Sequence, residues 1–555
     1  MTDKIKLYID NVGRYVEADG GETLLDILAR IRPELTFEPI CARVNNKTED
    51  LHFRIFSPKK VDFQPMWSAS GERVYVRSLC MLLYRALTRV APGAGLTIEH
   101  SISNGYYCLI RGVELTGELA GAIAAEMHRL VGLDLPIVPQ QDLTSEAIPA
   151  FRKEGLEAKA LLLETTHTLY TTYYTLDGIA DSYYGPLASS TGLLRTFSLM
   201  LYKDGLLLLP FDRNDPTHPR TPRAQEKMYH AFTEHVAFNR VIGVKNVGEL
   251  NRAVEQGHTA DLINVAEALH AKKIASIADD IAERFRQGGA RIVLIAGPSS
   301  SGKTTTTKRL ATFLMTDLLR PQMISLDDYF IDRHLTPLDE SGDYDYESIH
   351  ALDLKQFNAD LNALLRGEEV ELPTYNFETG TRSYKGNRLH LDDNTVLLIE
   401  GIHGLNPELT QGVDDRMKYR VYVSALTTLA IDDHNWVPTT DNRLLRRIIR
   451  DHKYRGTTAV DTLRRWASVR RGEEKWIFPY QENADAMFNS SLIFELGVMK
   501  EYGEEILRNV PHDIQEYAEA YRLLKFLGYF APIGEKLIPP TSLLREFLGG
   551  SSFRY

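Results

Sequence analysis

The stretch GPSSSGKTTTTK, which begins at Gly297, holds the residues best suited to chemistry. Its pattern, GxxxxGK[ST], fits the phosphates of a nucleotide for a physical reason. Gly297 and Gly302 permit backbone angles and a close approach that turn successive N–H groups towards phosphate oxygens, with Pro298, Ser299, Ser300 and Ser301 forming the loop between them. Lys303 adds a point charge at the outer phosphates, Thr304 offers a hydroxyl to Mg²⁺, and Thr305 completes the set expected to bind ATP. The chemistry implied is phosphoryl transfer, with ATP and Mg²⁺ as cofactors.

A phosphate loop works only between a strand and a helix, and both are legible. RIVLIAG is a short β-branched run, and TTTTKRLATFLM has the apolar spacing of an amphipathic helix. The loop identifies the donor, so the acceptor's residues lie downstream. The apolar strand in PQMISLDDYF ends in Asp327 and Asp328, and the carboxyl ends of neighbouring parallel strands converge on one crevice. Asp327 there can accept the proton of an attacking hydroxyl. The helix RRIIRDHKYR can close over a triphosphate, because this chemistry needs positioning and charge neutralisation more than covalent help. Alone, these would read as a turn aspartate and a solvated basic face. Behind a phosphate loop they read as a site.

The segments GDYDYESIHALDLKQFN, VELPTYNFETGTRSYKG, TVLLIEGIHGL and DNRLLRRIIRDHKYRGTT follow in that order. With the loop, they resemble the uridine kinase and phosphoribulokinase family over about Arg291 to Lys500. The resemblance implies an α/β P-loop kinase with a parallel sheet that transfers the γ-phosphate of ATP to the 5′-hydroxyl of a ribonucleoside. By the same resemblance Asp327 is the catalytic base and Glu400 helps Thr304 organise Mg²⁺. Asp345 and Arg447 hold ribose hydroxyls, and Arg450 and Arg455 reach the ATP phosphates. Tyr344, Tyr375 and Phe330 line the acceptor pocket. Two departures bear on the base: Gly380 stands where the family has a histidine, and Thr457 where it has an arginine. Arg465 replaces a glutamine, and Arg465 or Arg382 are candidate substitute readers. The expectation is a wider pocket, less committed to pyrimidines. His403 is as consistent with packing as with substrate contact.

The residues before the loop show a different pattern. KIKLYIDNVGRYVEADGGETLLDILARI reads as a hairpin turning at Asp10 to Gly13, then a helix opening near Thr23, and CARVNNKTEDLHFRIFS as a second strand pair turning at Asn45 and Asn46. This order resembles the ubiquitin-like β-grasp of TGS domains. The helix VRSLCMLLYRALTRV, the strand GLTIEHSISNGYYCLI and the loop in LDGIADSYYGPLASSTG resemble the α+β editing domain of threonyl- and alanyl-tRNA synthetases. That family's zinc ligands fall here on Arg77, Met81, Tyr183 and Leu187, none an ordinary zinc ligand. The expected domains are 1–65 (TGS-like), 66–210 (editing-like without its chemistry), 211–289 (helical connector), 290–500 (kinase-like) and 501–555 (C-terminal helical extension).

Net charge is -11, so nothing in the whole molecule's electrostatics draws it to nucleic acid or anionic lipid. The three cysteines, Cys41, Cys80 and Cys108, are far apart and read as buried apolar residues in a reducing, cytoplasmic setting. No apolar run reaches a membrane span. The partner expected is a small nucleoside. The tail LLREFLGG packs either on the kinase-like region or against a second subunit, which leaves a homo-oligomer open. Two other functions compete: an ATP-sensing RNA- or nucleotide-binding regulator, and a kinase acting on a phosphorylated sugar.

Overall fold

Ile292–Ala296 is a run of five apolar residues, all buried, at the centre of a parallel sheet. Such a strand is covered on both faces, so its sequence does not alternate. The computed structural model of the chain describes residues 4–340 and 342–554. In spatial order the sheet runs Arg320–Ser325, Thr395–Glu400, Ile292–Ala296, Lys418–Ser424, Ala486–Asn489, with every pair parallel. Register sets Glu400 between Ile295 and Ser325, so the loop, Glu400 and the turn holding Asp327 all leave the same sheet end.

Val293 and Ile295 face a core shared with Leu310 and Leu314 of the loop helix, Lys303–Thr316. Ile274, Ile277 and Ile281 of the long helix Thr259–Arg286 complete it. Ile292 and Leu294 face the other way, against Phe357 and Leu361 of the helix Leu354–Leu365. Beside this core stands an antiparallel hairpin, Val370–Asn376 with Thr381–Leu389.

The first 65 residues follow the expected order with one addition. Ile5–Ile9 and Arg14–Ala18 pair through a turn that puts Gly13 at φ +63, and Thr23 caps Leu24–Ile31 in a reciprocal capping box with Asp26. Pro39–Val44 and Lys47–Glu49 turn on Asn45 and Asn46, both at positive φ. The addition is Lys59–Pro65, which lies between the first and third strands, parallel to one and antiparallel to the other.

In the next region the helix Ala69–Val90 is buried over most of its length. Of the four positions aligned with zinc ligands, Arg77 donates to the Pro186 carbonyl at 3.1 Å, and Met81, Tyr183 and Leu187 are buried packing residues. Cys41, Cys80 and Cys108 are buried free thiols, with burial pushing the Cys41 thiol up to about 12. Among the described residues no helix is long and apolar enough to cross a membrane.

Long-range contacts tie the chain together. Residues 425–438, which link the strand Lys418–Ser424 to the helix Thr439–Arg455, reach into the N-terminal half. There Lys159 Nζ lies 2.8 Å from Asp181 Oδ1 and 2.9 Å from Asp432 Oδ1, while His434 Nδ1 meets Asp181 Oδ2 at 2.8 Å. All four residues are at most 2% exposed. Burial opposes the ammonium, but Asp181 and Asp432 hold Lys159 above the ordinary lysine range. Removing the cation leaves two carboxylates buried together. Lys159→Met is therefore expected to lower stability by about 3–5 kcal/mol, read from the urea midpoint. A loss under about 1 kcal/mol would show that the network does not hold the halves together.

The C-terminal tail packs back on the chain. Leu543 and Phe547 join the core around the loop helix, and Leu544 and Leu548 the core behind Thr439–Arg455. Each is at most 1% exposed, and burying a side chain of this size contributes about 1.5–3 kcal/mol. The tail is a fixed part of the fold.

Candidate active site

The loop's backbone explains its residues. Ser300 and Gly302 both sit at positive φ, and a Cβ on Gly297 would run into the Val423 carbonyl. The loop is gripped from outside. Ser299 N donates to Glu473 Oε1 at 3.2 Å, Arg443 Nε to the Ser299 carbonyl at 2.9 Å, and Ser490 Oγ to the Ser301 carbonyl. Among the described residues, Ser300 Oγ and Ser301 Oγ are buried without a hydrogen-bond partner. Lys303 opens the helix with Nζ on the Pro298 carbonyl at 3.2 Å, and Thr304 Oγ1 donates to Glu400 Oε1 at 3.2 Å. Thr305 donates to Glu546 from both N and Oγ1.

Three carboxylates gather around Lys303. Burial pushes Asp327 up, opposed by Lys303, Arg455 and Arg450. Burial likewise raises Glu400 to about 7, with Lys303 opposing and Asp327 and Glu546 adding to the rise. The third is Glu347: burial takes it to about 7, Glu473 adds, and Arg447 and Lys303 oppose. Among the described residues its Oε2 is buried without a partner, and its side chain fills the space over Gly472 that a Cβ would need. Asp328 is committed elsewhere, its Oδ1 accepting from Tyr375 N at 3.1 Å and fixing the hairpin to the turn.

The arginine helix Thr439–Arg455 is not a free lid along its length. Arg443 pairs with Glu473 and Arg446 with Glu495, all four buried. Arg447 donates to Ser299 Oγ at 2.9 Å. Arg447, Arg450 and Arg455 converge on buried Asp451 at 3.3, 2.7 and 3.6 Å, and only Arg455 of the three is half-exposed.

The acceptor residues are placed differently from expectation. Asp345 and Arg447, read as a pair, share no hydrogen bond or ion pair among the described residues. Asp345 accepts from Trp476 Nε1 at 3.4 Å, and the carboxylates whose fields reach Arg447 are Asp451 first, then Glu347, two residues on from Asp345, and Glu473. Phe330, Tyr375 and Phe377 form an aromatic trio with centroids 5.2 to 6.3 Å apart. Phe330 and Tyr375 are buried core residues, and Phe377 is the exposed ring, with Tyr344 partly exposed and packed on Tyr346. Gly380 does not leave a wider pocket. Arg333 occupies the space, since a Cβ on Gly380 would fall 2.8 Å from its Cβ and Nε. Arg382 is engaged with Asp353 at 2.8 Å, Arg465 is exposed, and Thr457 N is bound to the Asp451 carbonyl. His403 is buried, and burial holds it neutral, near 3.

A hydroxyl and a carboxylate joined at the loop, Thr304 and Glu400, are hard oxygen donors, and such a sparse set suits Mg²⁺, which keeps waters and takes substrate phosphates. Among the described residues no group of three or more His, Cys, Asp or Glu is arranged to hold a metal by itself.

Residues 292–493 match the model of the phosphoribulokinase / uridine kinase family. The chain is 30% identical over 195 residues to a uridine kinase of Lactobacillus helveticus, covering 35% of this chain and 83% of that protein. It is 29% identical over 192 residues to one of Halobacterium salinarum, covering 34% and 76%. It is also similar to a threonine–tRNA ligase of Symbiobacterium thermophilum, 28% identical over 190 residues, which is 34% of this chain and 29% of the ligase.

Proposed function

The chain belongs, through residues 292–493, to the phosphoribulokinase / uridine kinase family, and we propose that it is an ATP- and Mg²⁺-dependent kinase acting on the 5′-hydroxyl of a ribonucleoside. What supports this most directly is the convergence of Asp327 with Lys303, Arg450 and Arg455 at the phosphate loop. Asp327 accepts the proton of the attacking hydroxyl, while Lys303, Arg450 and Arg455 offset charge developing on the transferred group. Thr304 and Glu400 would hold Mg²⁺, which when bound neutralises the donor's outer phosphates. Glu347, with its unpartnered buried oxygen beside Arg447, takes the hydroxyl-gripping role first given to Asp345. Residues 1–65 form a TGS-like unit in this reading. The region 66–210 is an editing-like fold that neither binds zinc nor hydrolyses aminoacyl-tRNA, consistent with packing residues at all four aligned positions.

The test is ADP release against uridine, cytidine, adenosine, guanosine, inosine and their 2′-deoxy forms under one set of conditions. Ribonucleosides are expected to be favoured over deoxynucleosides by about 10²-fold or more in kcat/KM, because a site built to pair a hydroxyl leaves buried polar groups unmatched without it. Release that no nucleoside stimulates would overturn the reading and turn attention to a phosphorylated sugar.

A further inference from the structure

The inner end of the phosphate loop already carries an anion. Glu546, in the short helix Arg545–Leu548, holds Oε2 2.6 Å from Thr305 Oγ1 and 3.2 Å from Thr305 N. These donors lie just beyond Lys303 and Thr304, on the first turn of the loop helix, where unpaired N–H groups favour an anion. The surrounding tail is seated on the same structure. Leu543 packs on Gly302, where a Cβ would fall 2.7 Å from both of its Cδ atoms. The Phe547 ring lies 5.1 Å from the Arg446 guanidinium, and Lys453 donates to the Leu548 carbonyl. The tail thus spans from the loop helix to the arginine helix.

We propose that Glu546 determines donor affinity as a resident anion: its carboxylate holds the Thr305 donors that a phosphate of the nucleotide must take, and has to swing away before the nucleotide seats fully. The proposal rests on the loop being the donor site. The buried leucines and phenylalanine of the tail hold its backbone in place, so the moving part is the glutamate side chain alone. Until it moves, its negative charge, whose field reaches Glu400, also repels an incoming polyphosphate. Donor binding in the native chain is weakened by its own C-terminus.

The experiment is calorimetric titration of Mg-ATP into the full-length protein, Glu546→Gln, Glu546→Ala, and each of these combined with Lys303→Ala. Glu546→Gln keeps the shape and the Thr305 Oγ1 contact while removing the charge, so it reports even if the alanine variant folds poorly. Both single variants are expected to bind Mg-ATP about tenfold more tightly, as expected when a charge-assisted contact no longer competes. That gain should vanish with Lys303→Ala. Unchanged or weaker binding in Glu546→Gln, with dependence on Lys303 retained, overturns the proposal and leaves the donor site standing. Binding indifferent to Lys303 in every variant overturns the donor site itself, and the proposal with it.

Discussion

Asp327→Asn is expected to slow phosphoryl transfer by about 10³-fold, within the 10²–10⁴ that a positioned general base supplies, while ATP affinity changes less than about twofold. The asymmetry follows from placement. Asp327 sits on the turn after Arg320–Ser325, whereas the loop and Lys303, proposed to hold the donor, follow Ile292–Ala296, which lies beyond Thr395–Glu400 in the sheet. Burial disfavours the ionised Asp327, so a neutral isostere costs the fold nothing and the melting temperature should hold or rise slightly. Lys303→Ala should differ in kind, losing ATP binding as well as turnover. Single-turnover rates with saturating ATP, beside an ATP titration, separate the two. Near-normal turnover in Asp327→Asn would move the base elsewhere. Asp328 is poorly placed to take over, because it is bound to Tyr375 N.

The second large effect concerns the acceptor. Glu347→Gln is expected to lower kcat/KM for the nucleoside by about 10–150-fold, the range for losing a hydrogen bond to a charged group worth about 1.5–3 kcal/mol. Asp345→Asn should cost less than about fivefold, since that carboxylate is turned towards Trp476. Most of the Glu347 loss should appear in the acceptor's KM, with ATP binding unaffected. Equal losses for the two variants would mean that both carboxylates reach the acceptor. A larger loss for Asp345→Asn would restore the original pairing with Arg447.

What could be read without coordinates had a local cause. The phosphate loop, the Asn45–Asn46 turn and the Thr23 cap are each dictated by residues within a few positions, through left-handed backbone, hydroxyl capping or close approach. The strand Lys59–Pro65 was missed because its KKVDFQP is half polar and is recruited by partners far apart in sequence. Arg333 over Gly380 was invisible for a related reason: a missing side chain reads as space until another part of the chain is seen to fill it. Glu347 and Asp345 lie within one motif, yet among the described residues a single buried oxygen without a partner, Glu347 Oε2, and not residue type distinguishes them. The seating of the tail on the loop needed the fold itself, since LLREFLGG contains nothing that names its partner.

The bond between Lys159 and Asp432 joins positions 273 residues apart, and a ribosome makes them in that order. At roughly 5–20 residues per second, the lysine emerges on the order of tens of seconds before its second counter-ion exists. Through that interval Lys159 has Asp181 and the Ser182 carbonyl but not Asp432, on a surface later sealed by residues 425–438. This face of the N-terminal half therefore lacks its cover until residues 425–438 are made, and the arginine helix follows directly behind them.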